Sequence, residues 1–157
     1  MSSIYSIVSV KKLKLQDFNT FVEVIKLFEE VFEMQNFSMP PAQHLQKLLG
    51  KEDFFVFAAL HKEKVVGGLT AYVLEQYYSV KPLAYIYDLA VDPHYQRQGI
   101  GKRLIAEMNT FCQERGFEEV FVQADQDEAH AVNFYRSTNP TEEEKVAHFY
   151  YTLDKKK

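Results

Sequence analysis

Asp88-Leu89-Ala90-Val91-Asp92-Pro93-His94-Tyr95-Gln96-Arg97-Gln98-Gly99-Ile100-Gly101-Lys102 is the stretch from which the rest of the chain can be placed. The residues before it, Leu83-Ala84-Tyr85-Ile86-Tyr87, are aromatic or aliphatic and suit a buried strand. Pro93 ends that strand. After it, Ile100, Leu104, Ile105, Met108, Phe111 and Cys112 recur at helical spacing on one face. A strand, a short loop and a helix follow one another, and the first N–H groups of such a helix have no partner of their own. The positive end of the helix dipole lies at the same place. Gly99 and Gly101 carry no side chain, so an anion can reach the backbone. Arg97, Lys102 and Arg103 add positive charge, and the loop suits a pyrophosphate.

Two nucleotide loops are excluded by single residues. A P-loop needs Ser or Thr after Gly-Lys, and here Gly101-Lys102 runs into Arg103, with Gln96 where the upstream glycine belongs. The dinucleotide fingerprint needs a third glycine where Leu104 stands.

The chain has 157 residues, which suits one domain with its own core, taken here as residues 1–157. It is 46% hydrophobic and 25% charged, a balance of neither a disordered nor a membrane-embedded chain. No apolar run nears the roughly 20 residues that span a bilayer. Met1-Ser2-Ser3-Ile4-Tyr5 has neither the basic head nor the apolar core of a signal peptide. One cysteine, Cys112, excludes an internal disulfide, fits a reducing cytoplasm, and reads as a core residue rather than a nucleophile. A net charge of −4 argues against nucleic acid and permits a cationic substrate. His44, His61, His94, His130 and His148 show no metal-ligand spacing, so no metal is expected.

Along the chain, residues 4–10 read as a first strand, and Asp17 is placed to cap a first helix carrying Phe18, Phe21, Val22, Ile25, Phe28 and Phe32. A short helix covers 42–49 and ends at Gly50. Residues 53–60 and 65–74 read as strands around a polar turn at 61–64, with Gly67 and Gly68 marking a bulge or close packing. Residues 75–81 form a loop holding Tyr77 and Tyr78. The third helix ends at Gly116, a strand covers 118–124, a helix 129–137, and a closing strand 145–153 precedes a lysine tail.

Gln96-Arg97-Gln98-Gly99-Ile100-Gly101 resembles the acetyl-CoA loop of the GNAT acetyltransferase superfamily, Gln/Arg-x-x-Gly-x-Gly/Ala. The order β-α-α-β-β-β-α-β-α-β resembles that of the same superfamily, an α/β chain with a mixed sheet. The segments 69–74, 85–91 and 120–125 resemble the aminoglycoside 3-N-acetyltransferase (gentamicin acetyltransferase) family, a likeness running from Leu27-Phe28 to His148-Phe149. The resemblance implies transfer of the acetyl group of acetyl-CoA to a primary amine, the 3-amino group of a 2-deoxystreptamine antibiotic, with antibiotic resistance as the consequence. It implies a tendency to form homodimers. Acetylation of a polyamine or a peptide N-terminus, and acyl-CoA binding without turnover, are the alternatives.

Acetyl transfer needs a neutral amine, a polarised thioester and a proton for the thiolate. A lysine-like amine titrates about three units above neutral pH, so deprotonating it costs about 4–5 kcal/mol. Asp88, a charge inside an apolar strand, is the first candidate base and substrate ligand, with Asp125 as a second carboxylate and Tyr87 among the tyrosines able to line a cleft. Tyr135, in Ala131-Val132-Asn133-Phe134-Tyr135, resembles the superfamily's fourth-helix tyrosine that serves as acid. The expected cofactor-binding residues are Leu89, Ala90, Val91, Gln96, Arg97, Gln98, Gly99, Ile100, Gly101, Lys102, Phe134 and Tyr135.

Overall fold

The computed structural model describes residues 7–154, in two compact units that part between Gln123 and Ala124. In the first, β1 (Val8–Lys12), α1 (Phe18–Val31), α2 (Ala42–Leu49), β2 (Phe54–His61), β3 (Lys64–Leu74), β4 (Leu83–Val91), α3 (Ile100–Glu114) and β5 (Glu119–Val122) follow in order. The sheet runs β1-β2-β3-β4-β5. Its first three pairings are antiparallel and β4 pairs β5 in parallel, as a strand–helix–strand crossover through α3 requires.

Both faces of the sheet are covered, and the strand burial shows it. Phe54 to Ala59 are all buried, a continuous run rather than an alternation. One face meets Phe21, Val24, Leu27 and Phe28 of α1 and Leu45 and Leu49 of α2. The other meets α3, where Ile100, Leu104, Ile105, Met108 and Cys112 are buried. The α1 stripe is rotated from the expected one: Val24 and Leu27 point inward, and Phe32 is left exposed at the end of the helix. The turn between β2 and β3 places Lys62 and Glu63 at φ 51° and 68°, the two positive values a tight hairpin needs.

Gly67 and Gly68 serve close packing on opposite faces. A Cβ on Gly67 would lie 3.2 Å from Ile100 of α3, and one on Gly68 2.6 Å from Val24 of α1. Val24 is β-branched and fully buried, so it cannot swing aside. Gly68→Ala is expected to destabilise the fold by about 1–3 kcal/mol, lowering Tm by about 2–4 °C per kcal/mol in a thermal melt. An unchanged Tm would mean that α1 is not seated so tightly.

Three expectations shift. The first strand is Val8–Lys12, later than residues 4–10, of which 4–6 lie outside the described residues, as does the lysine tail. Asp17 stands at the α1 N-cap position but makes no cap hydrogen bond there; its carboxylate accepts the Lys14 N–H at 2.8 Å and the Lys11 ammonium at 3.1 Å, closing the preceding turn. The closing strand at 145–153 is not formed. In the second unit α4 (Ala129–Arg136) is the sole regular element among the described residues, and residues 141–154 are exposed and carry no ladder. Branched and aromatic composition favours a strand only where a neighbour supplies hydrogen bonds, and this segment has no strand partner among the described residues. What orders its start is Arg136, whose guanidinium donates two hydrogen bonds to Glu143, at 2.8 and 2.7 Å.

Candidate active site

β4 builds the site by losing one neighbour and keeping the other. Its whole length pairs with β3, from Leu74↔Leu83 to Gly67↔Val91. Its pairing with β5 covers Leu83 to Ile86 and stops. From Tyr87 to Ala90 the side of β4 facing away from β3 therefore has no strand partner among the described residues, an edge that an extended amide ligand can join as an added strand would.

At the same point the β3–β4 register slips. Thr70 faces Asp88 while Ala71 faces Ile86, which makes Tyr87 an extra residue, a β-bulge. The slip breaks the alternation of the strand. Ala90 packs in the cluster with α1, so Asp88, two residues before it, takes the α1 face. Tyr87 meets Tyr72 and Tyr85 ring to ring, and Tyr72 in turn meets Phe54 of that cluster, so Tyr87 is on the α1 face as well. Two sequence neighbours share one face, which an unbroken strand forbids.

Asp88 is half-buried, and burial alone pushes its carboxyl up from the ordinary range. Among the described residues no cation pairs with it. Its cross-strand partner Thr70 is a buried polar side chain outside the residues expected from the sequence. A hydroxyl-bearing residue in an otherwise apolar strand was the available signal. Half-buried, raised and unpaired, Asp88 has the properties of a carboxylate suited to receiving a proton.

Beyond β4 the chain turns into the glycine loop. The Asp92 carboxylate accepts the His94 N–H at 2.9 Å, and the Gln96 side chain donates to the Val91 carbonyl at 3.0 Å. Gln96 thus ties the loop to the end of the strand. Arg97 sits at φ 64° and Gly99, the N-cap residue of α3, at φ 83°. Gly99 makes no side-chain cap, and the first helical hydrogen bond at this end runs from Arg103 N–H to Gly99 C=O at 3.0 Å. The N–H groups of Ile100, Gly101 and Lys102 thus have no acceptor among the described residues. These N–H groups, the bare Gly99 and the charges of Arg97 and Lys102 fit a pyrophosphate. Arg103 does not join them: its guanidinium donates to the Val8 carbonyl and ties α3 to β1.

The structure brings Tyr87, Asp88, Leu89, Ala90, Val91 and the residues from Gln96 to Lys102 onto one continuous strand and loop. Asp125, Phe134 and Tyr135 belong to the second unit. There Asp125 is exposed and accepts the Asp127 N–H at 2.9 Å, closing the turn before α4. Phe134 and Tyr135 pack edge to face at 5.1 Å. Tyr77 and Tyr78 lie in the loop before β4, at the end of that strand away from the glycine loop. Cys112 is buried and its thiol is pushed up to about 11, which keeps it protonated and inert.

The model of the Acetyltransferase (GNAT) family matches residues 21–139. The chain belongs to the GNAT acetyltransferase family. An aminoglycoside acetyltransferase from an uncultured soil metagenomic sample, solved in complex with sisomicin and with trehalose, is 60% identical over 97% of this GNAT chain and 100% of its own, with a TM-score of 0.95. A second aminoglycoside acetyltransferase from such a sample is 30% identical over 98% of this chain and 100% of its own, with a TM-score of 0.87. The ribosomal protein bS18-alanine N-acetyltransferase of Escherichia coli K12 is 30% identical over 88 residues, 56% of this chain. The chain spans 58% of the length of that curated relative. Among the described residues no helix is long and apolar enough to cross a membrane, and no His, Cys, Asp and Glu cluster could hold a metal.

Proposed function

We propose that this protein transfers the acetyl group of acetyl-CoA to a primary amine of an aminoglycoside, with the 3-amino group of 2-deoxystreptamine as the target. The observation that carries the reading is Asp88: a half-buried, unpaired carboxylate at the point where β5 leaves β4. The 60% identity to an aminoglycoside acetyltransferase solved with sisomicin supports the substrate class.

In this reading the glycine loop and the α3 N-terminus hold the pyrophosphate, and the open edge of β4 holds the pantetheine amides. Asp88 binds the ammonium and accepts its proton. The neutral amine attacks the thioester carbon, and the backbone N–H groups between Leu89 and Val91 steady the oxygen that gains charge. The C–S bond then breaks as the Tyr135 hydroxyl supplies a proton to the thiolate, and the proton that the acylated nitrogen loses returns the tyrosinate to phenol. Asp125 is a second carboxylate for a cationic substrate. The place of action is the cytoplasm, where acetyl-CoA is made, and the acting form is a homodimer.

Thiol release from acetyl-CoA, read with sisomicin, gentamicin and neamine, a polyamine, and peptides beginning with alanine, tests this. Turnover with the antibiotics and an acetyl group on the 3-amino nitrogen in the product's NMR spectrum is the expected result. Turnover with alanine peptides alone would move the substrate to the class named in the Escherichia coli relative. Binding of CoA with no turnover on any amine would leave an acyl-CoA binding module.

A further inference from the structure

The α1 face of the sheet carries a row of rings that the core does not account for. Phe54, Tyr72, Tyr87, Tyr85 and Phe121 follow one another across β2, β3, β4 and β5 at centroid distances of 5.1, 5.5, 5.8 and 4.8 Å. The row begins buried, with Phe54 at 6% exposure, and surfaces in its middle, where Tyr72 is 38% and Tyr87 59% exposed. Tyr72 and Tyr87 meet at 89°, so one ring offers its face where the other offers its edge. Tyr85 is fixed from both sides, stacked on Phe121 and donating its hydroxyl to Gln123 at 3.1 Å.

The bulge puts this row beside Asp88. Tyr87 is its extra residue, and Asp88 follows on the same face. The Asp88 charge and the Tyr87 phenol, after burial, both push the Tyr72 phenol up. Tyr72 therefore stays neutral, and its ring keeps the negative face that attracts cations. An exposed aromatic surface beside an unpaired carboxylate complements a ligand with apolar ring faces and more than one ammonium.

We propose that Tyr72 and Tyr87 form a docking platform for the amino sugar, holding a non-reacting ammonium over a ring face while Asp88 takes the reacting amine. The inference rests on the aminoglycoside reading and assigns the substrate contact within it. Tyr72 and Tyr87 are specificity-determining residues: they select amines that carry a second cation on a sugar ring, and a simple amine gains nothing from them.

The test compares Tyr87→Leu, Tyr87→Phe and Tyr72→Leu, each checked for wild-type melting, with sisomicin and with the monoamine glucosamine. The leucine variants should raise KM for sisomicin by about three- to thirtyfold, the range of one cation–ring contact. Tyr87→Phe should retain the wild-type KM for sisomicin, and any loss with glucosamine should fall well short of the loss with sisomicin. Equal loss with sisomicin and glucosamine, or no loss with either, overturns the platform. If wild-type protein acetylates no aminoglycoside, the proposed function fails first. Calorimetric titration of neamine then decides the platform separately: binding weakened by Tyr87→Leu and kept by Tyr87→Phe sustains it, and absence of binding to wild type ends it. Tyr87→Ser replaces Tyr87→Leu if the latter does not fold.

Discussion

Asp88→Asn is expected to lower kcat by about 10²–10⁴-fold, the range of a positioned general base, with acetyl-CoA binding kept within about twofold of wild type. Asn keeps the size and one oxygen of the side chain and loses its charge and basicity. Steady-state thiol release gives kcat, and calorimetric titration with CoA gives the binding constant. Tyr135→Phe in the same assay is expected to keep CoA binding and to lower kcat, as the loss of the proposed acid requires. A wild-type kcat in Asp88→Asn would remove Asp88 from the reaction.

The stability of this variant moves the other way. The folded-state pKa of Asp88 is raised, so the native protein holds that proton more tightly than the unfolded chain. Through the window between the two pKa values the unfolded state binds fewer protons, and stability falls as pH rises. Above the folded pKa the burial cost of the charge is felt in full. Asn has no charge to desolvate. Asp88→Asn is therefore expected to melt at or above the wild-type temperature at pH 7, with the gain vanishing below the unfolded carboxylate range. A lower Tm at neutral pH would point instead to a structural role for the carboxylate.

Gly99→Val is expected to raise KM for acetyl-CoA by about ten- to a hundredfold, one to two factors of ten in binding, and to change kcat at saturation far less. Gly99 is held at φ 83°, where a β-branched residue costs on the order of 1–3 kcal/mol. In the proposed reading the N–H groups that follow Gly99, those of Ile100, Gly101 and Lys102, receive the pyrophosphate, so a bulky residue at Gly99 disturbs the loop at its point of contact. Gly99→Ala brings the strain with less bulk and should fall between the two. An unchanged KM in Gly99→Val would mean that the phosphates bind elsewhere.

Much of the candidate site was legible as a candidate because its groups are consecutive. From Asp88 to Lys102 a strand, a proline stop, two glycines and an amphipathic helix are written in order, and each acts through its own backbone or its immediate neighbours. A glycine at a helix start leaves N–H groups uncapped whatever the rest of the chain does. The hairpin at Lys62-Glu63 and the α2 span were legible for the same reason. The closing strand at 145–153 was misread because a strand is half of an interaction, and composition describes only its own half.

The chain's own sequence determined the order of its elements from β1 to α4 and made the glycine loop and Asp88 candidates, since local propensity, helix ends and charge patterning act within a few residues. The tertiary structure decided which faces those residues share. The Thr70/Ala71 register slip makes Tyr87 an extra residue, turns Asp88 to the α1 face, and sets it beside Tyr72, sixteen positions away in sequence on β3. The same fold ends the β5 pairing at Ile86 and opens the edge of β4. On the same sheet α1 and α3 close onto β3 at Gly68 and Gly67, where a Cβ would lie 2.6 Å from Val24 and 3.2 Å from Ile100. That packing joins residues far apart in the chain, so no local pattern encodes it.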